Sequence, residues 1–175
     1  RSRALGDVYP RQALGEQFVG HIEGLDTRDE RAWLLDAVAR DAREWDEWFG
    51  RSIDVGGLEK ERNILRYRPA STQVRGCADA KPVDVARVVA AGLLAAGDNI
   101  SVCLDPSLGE GLGRALRSVG VAVTTASDED WYASLGASRV RLVGGNPSRA
   151  ADEADGAPEL AADSYSHRKL PKKRK

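Results

Sequence analysis

Methionine is absent from these 175 residues, and cysteine, histidine and phenylalanine occur only twice each. The two cysteines, Cys77 and Cys103, and the two histidines, His21 and His167, lie at separations that do not make a zinc site. Nor does histidine approach either cysteine in sequence, so neither thiol has a neighbouring base to activate it. No run comes near the roughly 18 apolar residues a membrane-spanning helix needs, and the N-terminus lacks the apolar core of a secretory signal. A chain without methionine that opens on Arg1 therefore reads as a cytoplasmic fragment of something longer, with no membrane contact expected. Charge of one sign is also lacking, since the net value is −1. Six basic residues and no acidic ones crowd into 168–175; taking those six from −1 leaves the rest at −7. The body is mildly acidic, so nucleic-acid attraction is expected only weakly and only from the tail.

What is there suffices for a packed core: 42% hydrophobic residues against 30% charged ones argue against global disorder. Residues 1–57 read as a linker that ends in a tryptophan-rich amphipathic helix. Gly6, Pro10, Gly15, Gly20 and Gly24 punctuate its first part. Thr27 and Glu30 then form a capping box, and Leu34, Leu35, Val38, Ala42, Trp45, Trp48 and Phe49 follow at helical spacing to Gly50. Arg40 with Glu44 and Arg43 with Glu47 are expected as solvent-face pairs worth about 0.3 kcal/mol each. Trp33, Trp45 and Trp48 are read as anchors that dock the helix onto another domain rather than as a ligand cage.

Residues 58–145 carry four short β-branched runs, at 73–78, 99–104, 120–124 and 138–143, separated by helix-like segments. Pro82 opens a helix through Val85, Val88, Val89 and Leu93 to Gly97. Asp105 and Pro106 open a second over 107–119, and Ser127 with Asp130 caps a third bearing Trp131, Tyr132 and Leu135. Strands joined by such helices require crossovers, which predicts an α/β fold: a small parallel sheet of about four strands, a Rossmann-like half. Residues 146–175 lose all periodicity and turn basic, and are expected to be a disordered, low-complexity tail.

No catalytic, cofactor-binding or metal-binding residue stands out. Gly109, Gly111 and Gly113 invite a phosphate-cradle reading, because glycines let backbone amides approach a pyrophosphate at a helix N-terminus. The position three after the second glycine is however Arg114 or Leu116, where the dinucleotide fingerprint needs glycine or alanine. Small residues for close helix-to-sheet packing are the better account. The acidic residues all have helix-face or capping explanations.

The order of elements from Gly57 to Gly145 resembles the C-terminal domain of the proline utilization A flavoenzymes. Its marks are Glu61-Arg62-Asn63 with Ile64-Leu65, then Pro69, a strand ending near Cys77, the Ala/Val/Leu helix to Gly97, and a strand ending in Gly144-Gly145. Glu16 to Glu23 and the tryptophan-rich helix resemble the linker before that domain, so the likeness covers about residues 1–145. Those enzymes join proline dehydrogenase to L-glutamate-γ-semialdehyde (1-pyrroline-5-carboxylate) dehydrogenase, an NAD enzyme of the aldehyde dehydrogenase family. The resemblance implies a degenerate aldehyde-dehydrogenase-like accessory domain with no active site, docked on the upstream dehydrogenase domains of the same polypeptide. NAD and FAD would belong to those domains, so no cofactor is expected in this chain. After Gly145 the sequence departs from the family, which continues with further helices, strands and a closing motif.

Three readings follow. The leading one is a non-catalytic docking domain of a proline-catabolic oxidoreductase, which alone oxidises nothing. The second is a weak nucleotide-binding remnant around residues 105–113. The third is a polyanion-binding module driven by the basic tail. A homo-oligomer is compatible with each.

Overall fold

Apolar side chains recur every fourth residue at Leu34, Val38 and Ala42, and this stripe buries helix α1 (Arg28–Glu44). The computed structural model describes residues 28–135, 139–155 and 162–165. Thr27, and with it the expected capping box, lies outside them. Arg40 pairs back with Asp36 rather than forward with Glu44. An acid one turn before its base is the favourable order against the helix dipole. A π-helical turn, Trp45–Phe49, extends α1 to Gly50, whose amide donates to the Trp45 carbonyl at 2.7 Å. The apolar stripe stops being buried there: Trp48 and Phe49 face solvent.

Strands β1 (Ile53–Asp54) and β2 (Ile64–Leu65) then form an antiparallel hairpin. The Asp54 carboxylate organises its loop by accepting from the amides of Gly56, Gly57 and Asn63 at 3.1–3.3 Å. The hairpin straddles position 57, so the end of the expected linker and the start of the expected α/β region are one unit.

The main sheet contains β3 (Thr72–Gly76), β4 (Ile100–Leu104), β5 (Ala122–Thr125), β6 (Arg139–Val143) and β7 (Ala162–Tyr165), in the order β5-β4-β3-β6-β7 and parallel throughout. Four of these strands are the four β-branched runs. The fifth corrects an expectation. Residues 146–175 were expected to be disordered, yet α5 (Pro147–Glu153) and β7 fall among them. Asn146 starts α5 by accepting from the amides of Ser148 and Arg149 at 2.9 and 3.3 Å, with Pro147 in the first turn. A four-residue strand such as β7 has no periodicity to read; it forms because β6 offers a ladder.

Pleating divides the core into two. Val74, Ile100, Val102, Leu104 and Val143 face α1, α2 (Pro82–Ala96) and α3 (Glu110–Ser118). Cys77, Cys103, Val140 and Leu142 face α4 (Asp128–Ala133) and α5. A Val or Leu fully buried in either layer contributes about 1.5–3 kcal/mol. Arg87 on α2 grips Asp41 on α1 with two bonds of 2.6 and 2.8 Å, fixing the N-terminal helix to the first layer. The helix expected over 107–119 is divided: a 3₁₀ turn, Pro106–Leu108, ends at Gly109 with φ of 76°, and α3 begins after it. Ser127 caps α4 as expected, accepting from the Asp130 amide at 3.1 Å.

Candidate functional site

Strand β3 runs at the centre of the sheet, and the order in which strands are added reverses between it and β6. In doubly wound sheets ligands sit in the crevice beyond the carboxyl ends of the strands at that switch. Here the crevice is bounded by the residues after β3 (Cys77, Ala78, Asp79), after β4 (Asp105, Ser107), after β5 (Ala126, Asp128) and after β6 (Gly144, Gly145, Asn146).

Its floor is Arg75, a fully buried guanidinium inside β3. Nη2 donates to Asp128 at 2.6 Å, and Nη1 donates to the Ala126 carbonyl at 3.1 Å and to the Cys103 sulfur at 3.2 Å. Asp105 lies 3.7 Å away and is itself held by the Ser107 amide and hydroxyl at 2.9 and 2.7 Å. The Trp131 ring stands 5.3 Å from the guanidinium carbon. Among the described residues Nε has no hydrogen-bond partner. Burial alone would lower the Arg75 pKa; the hydrogen bond it donates to Asp128 and the neighbouring sulfurs more than offset it and hold the group above its ordinary range. The Ser107 hydroxyl contact, working against burial, keeps Asp105 below the usual carboxylate range.

The protein's own groups fill the remaining positions. Asp128 accepts from the Ala78 amide at 3.2 Å, and Asp79 accepts from the Gly145 amide at 2.7 Å. Tyr132 and Asn146 exchange hydrogen bonds at 3.1 and 3.2 Å through one hydroxyl and the backbone. Gly144 and Gly145 have φ of 74° and 70°, and a Cβ on Gly145 would lie 2.6 Å from the Cys77 sulfur. That closeness requires glycine there. Burial pushes the Cys77 thiol up to about 12, so it stays protonated at neutral pH.

This arrangement does not fit a dinucleotide. The turn after β3 would have to offer glycines and free amides to a pyrophosphate, but it carries Asp79, Lys81 and Pro82, and Asp128 already takes the Ala78 amide. Gly111 and Gly113 lie inside α3, where a Cβ on Gly113 would come nearest the Arg117 guanidinium at 3.3 Å and make ordinary contact with Leu104 at 3.7 Å. Among the described residues no group of three His, Cys, Asp or Glu is placed to hold a metal ion. His21, His167 and the basic run 168–175 lie outside the described residues. A groove of about 500 Å³ also opens between α2 and the starts of β3, β4 and β6, with Ala91, Ile100 and Arg139 among its lining. It sits at the amino ends of the strands, away from the switch.

A second feature lies outside the sheet. Among the described residues, every exposed large apolar side chain falls between Trp33 and Tyr67. Trp48 is 60% exposed, Val55 66%, and Leu58, Ile64, Leu65 and Tyr67 are 50–57% exposed. Phe49 meets Tyr67 edge to face, ring centres 5.3 Å apart, which ties the end of α1 to the hairpin. Exposed large apolar side chains are thus confined to one stretch of the chain among the described residues. The tryptophans of the α1 region were singled out from sequence as anchors; Ile64 and Leu65 were noted only as marks of the resemblance, because two-residue strands leave no periodicity from which to read a hairpin. Arg75 was also missed. Its signal was a lone charge within an otherwise uncharged run.

No protein-family model and no curated protein matches this chain. Among the described residues no helix is long and apolar enough to cross a membrane.

Proposed function

We propose that this chain is a non-catalytic accessory domain that docks on the dehydrogenase domains of a proline-catabolic enzyme similar to proline utilization A. The observation that carries the docking half is the confinement of exposed large apolar side chains to residues 33–67. A sheet domain that buries its aliphatic residues well, yet keeps Trp48, Ile64, Leu65 and Tyr67 in water, gains by covering them with a partner. The enzyme assignment rests on the resemblance over residues 1–145. Chemistry on L-glutamate-γ-semialdehyde, with NAD and FAD, belongs in this reading to the upstream domains. Two buried free thiols suit a reducing, cytoplasmic setting.

The test uses the purified chain and the dehydrogenase domains of a proline utilization A enzyme that lacks its own C-terminal domain. The expected outcome is a complex in sedimentation velocity, and no NADH formation by the chain alone from L-glutamate-γ-semialdehyde and NAD. Turnover by the chain alone, or no complex, refutes the proposal.

A second reading, the nucleotide-binding remnant, is favoured by one observation, the strand order β5-β4-β3-β6-β7. Calorimetric titration with NAD decides it: a saturable heat of binding supports the remnant, and no heat at millimolar ligand removes it.

A further inference from the structure

We propose that the carboxyl end of the sheet holds an anion-binding site occupied by the protein's own Asp128, and that removing this side chain opens it to small carboxylate anions. The site is built from inside the fold. Arg75 is fully buried, with its guanidinium directed at Asp128. The Ala78 amide, just past the end of β3, donates to the other Asp128 oxygen at 3.2 Å. One carboxylate thus joins a buried cation to a backbone N–H beyond a strand end, the pair of donors an anion would use at a switch point.

Three observations set this apart from an ordinary ion pair. The donors lie in and just after β3, whereas the acceptor arrives on α4 and is 27% exposed, at the mouth of the crevice. Arg75 also keeps Nε without a partner, an orphaned donor in a place where buried donors are nearly always satisfied. Asp105, the other carboxylate in reach, is held by Ser107 and stands 3.7 Å from Nη2, outside hydrogen-bonding distance. Losing Asp128 would therefore leave Nη2 and the Ala78 amide without acceptors, an imbalance that a small anion of the same shape corrects.

Formate is the probe, because it reproduces the missing carboxylate without a side chain. In the full chain, Asp128→Ala is expected to lower the melting temperature, and sodium formate to restore about 2–8 °C of it saturably relative to sodium chloride at equal ionic strength. The wild-type protein should respond equally to the two salts. Adding Arg75→Met to Asp128→Ala should abolish the formate response. If Asp128→Ala does not fold in chloride, recovery of the folded form in formate is the readout, repeated with Asp128→Ser. Equal behaviour of both variants in formate and chloride overturns the site, as does a formate response that survives Arg75→Met. Docking through residues 33–67 uses none of these groups, so failure here leaves that reading intact, and the reverse.

Discussion

The crevice at the sheet's carboxyl end and the strip from Trp33 to Tyr67 treat their side chains in opposite ways. In the crevice the carboxylates are matched internally: Asp128 accepts from Arg75 and Ala78, Asp79 from Gly145 and Asp105 from Ser107, and among the described residues Arg75 Nε is the buried side-chain atom left without a partner. In the strip, large apolar side chains stay in water although buried aliphatic layers lie a few residues away. A place where ligands usually bind is closed, and a place with no ligand geometry is left open for contact. The difference is one of desolvation: polar groups in the crevice are paired within the fold, and apolar groups in the strip are left in water.

The sharpest way to break this comparison is Arg75→Ala. It takes from Asp128 its guanidinium partner; removing one partner of a buried pair costs about 3–5 kcal/mol, and the partial exposure of Asp128 puts this loss at the low end. Urea denaturation monitored by tryptophan fluorescence should show that loss; a change under 1 kcal/mol would mean the crevice is not organised by this cation. Gly145→Ala comes next. Positive φ and the Cys77 sulfur both oppose a Cβ, and about 1–3 kcal/mol should be lost. Cys77→Gly in the same chain should recover the steric part and leave the backbone part.

A smaller effect concerns acid. Asp105 has its pKa depressed chiefly by the Ser107 hydroxyl. Its contribution is therefore present above the ordinary carboxylate pKa, about 3.9, and is lost as pH falls below that toward the depressed folded value. Melting temperature measured from pH 6 to pH 2 should drop less steeply in Ser107→Ala than in the wild type; parallel curves would remove Asp105 from the account. The smallest expected change in stability is at the strip. Trp48→Ser with Ile64→Ser should alter unfolding free energy by only about 0.5 kcal/mol per site, since both residues are exposed. The same variant should lose complex formation with the dehydrogenase domains. Strong destabilisation without loss of docking would reverse the roles assigned to the two regions.

Much of the fold was legible because its signals are local. The four β-branched runs became β3, β4, β5 and β6, Pro82 and Gly97 bracketed α2, and Ser127 capped α4. Each depends on residues within a turn or two of one another. The misses depend on distance. β7 is stabilised by pairing with β6 rather than by its own composition. Gly109 divided an expected helix because Asp105 and Ser107 close a turn ahead of it. The crevice joins residues 50 positions apart, Ala78 and Asp128, and no spacing rule brings those together.

Composition and periodicity alone settled that this chain builds an α/β layer structure with a long amphipathic helix in front, since hydrophobic alternation and helix punctuation act over a few residues. Only the folded arrangement decided which charges end up paired in the interior and which aromatic side chains stay outside. Those outcomes follow from desolvation and packing between strands and helices far apart in the chain, and solvent exclusion is a property of the assembled layers rather than of any segment.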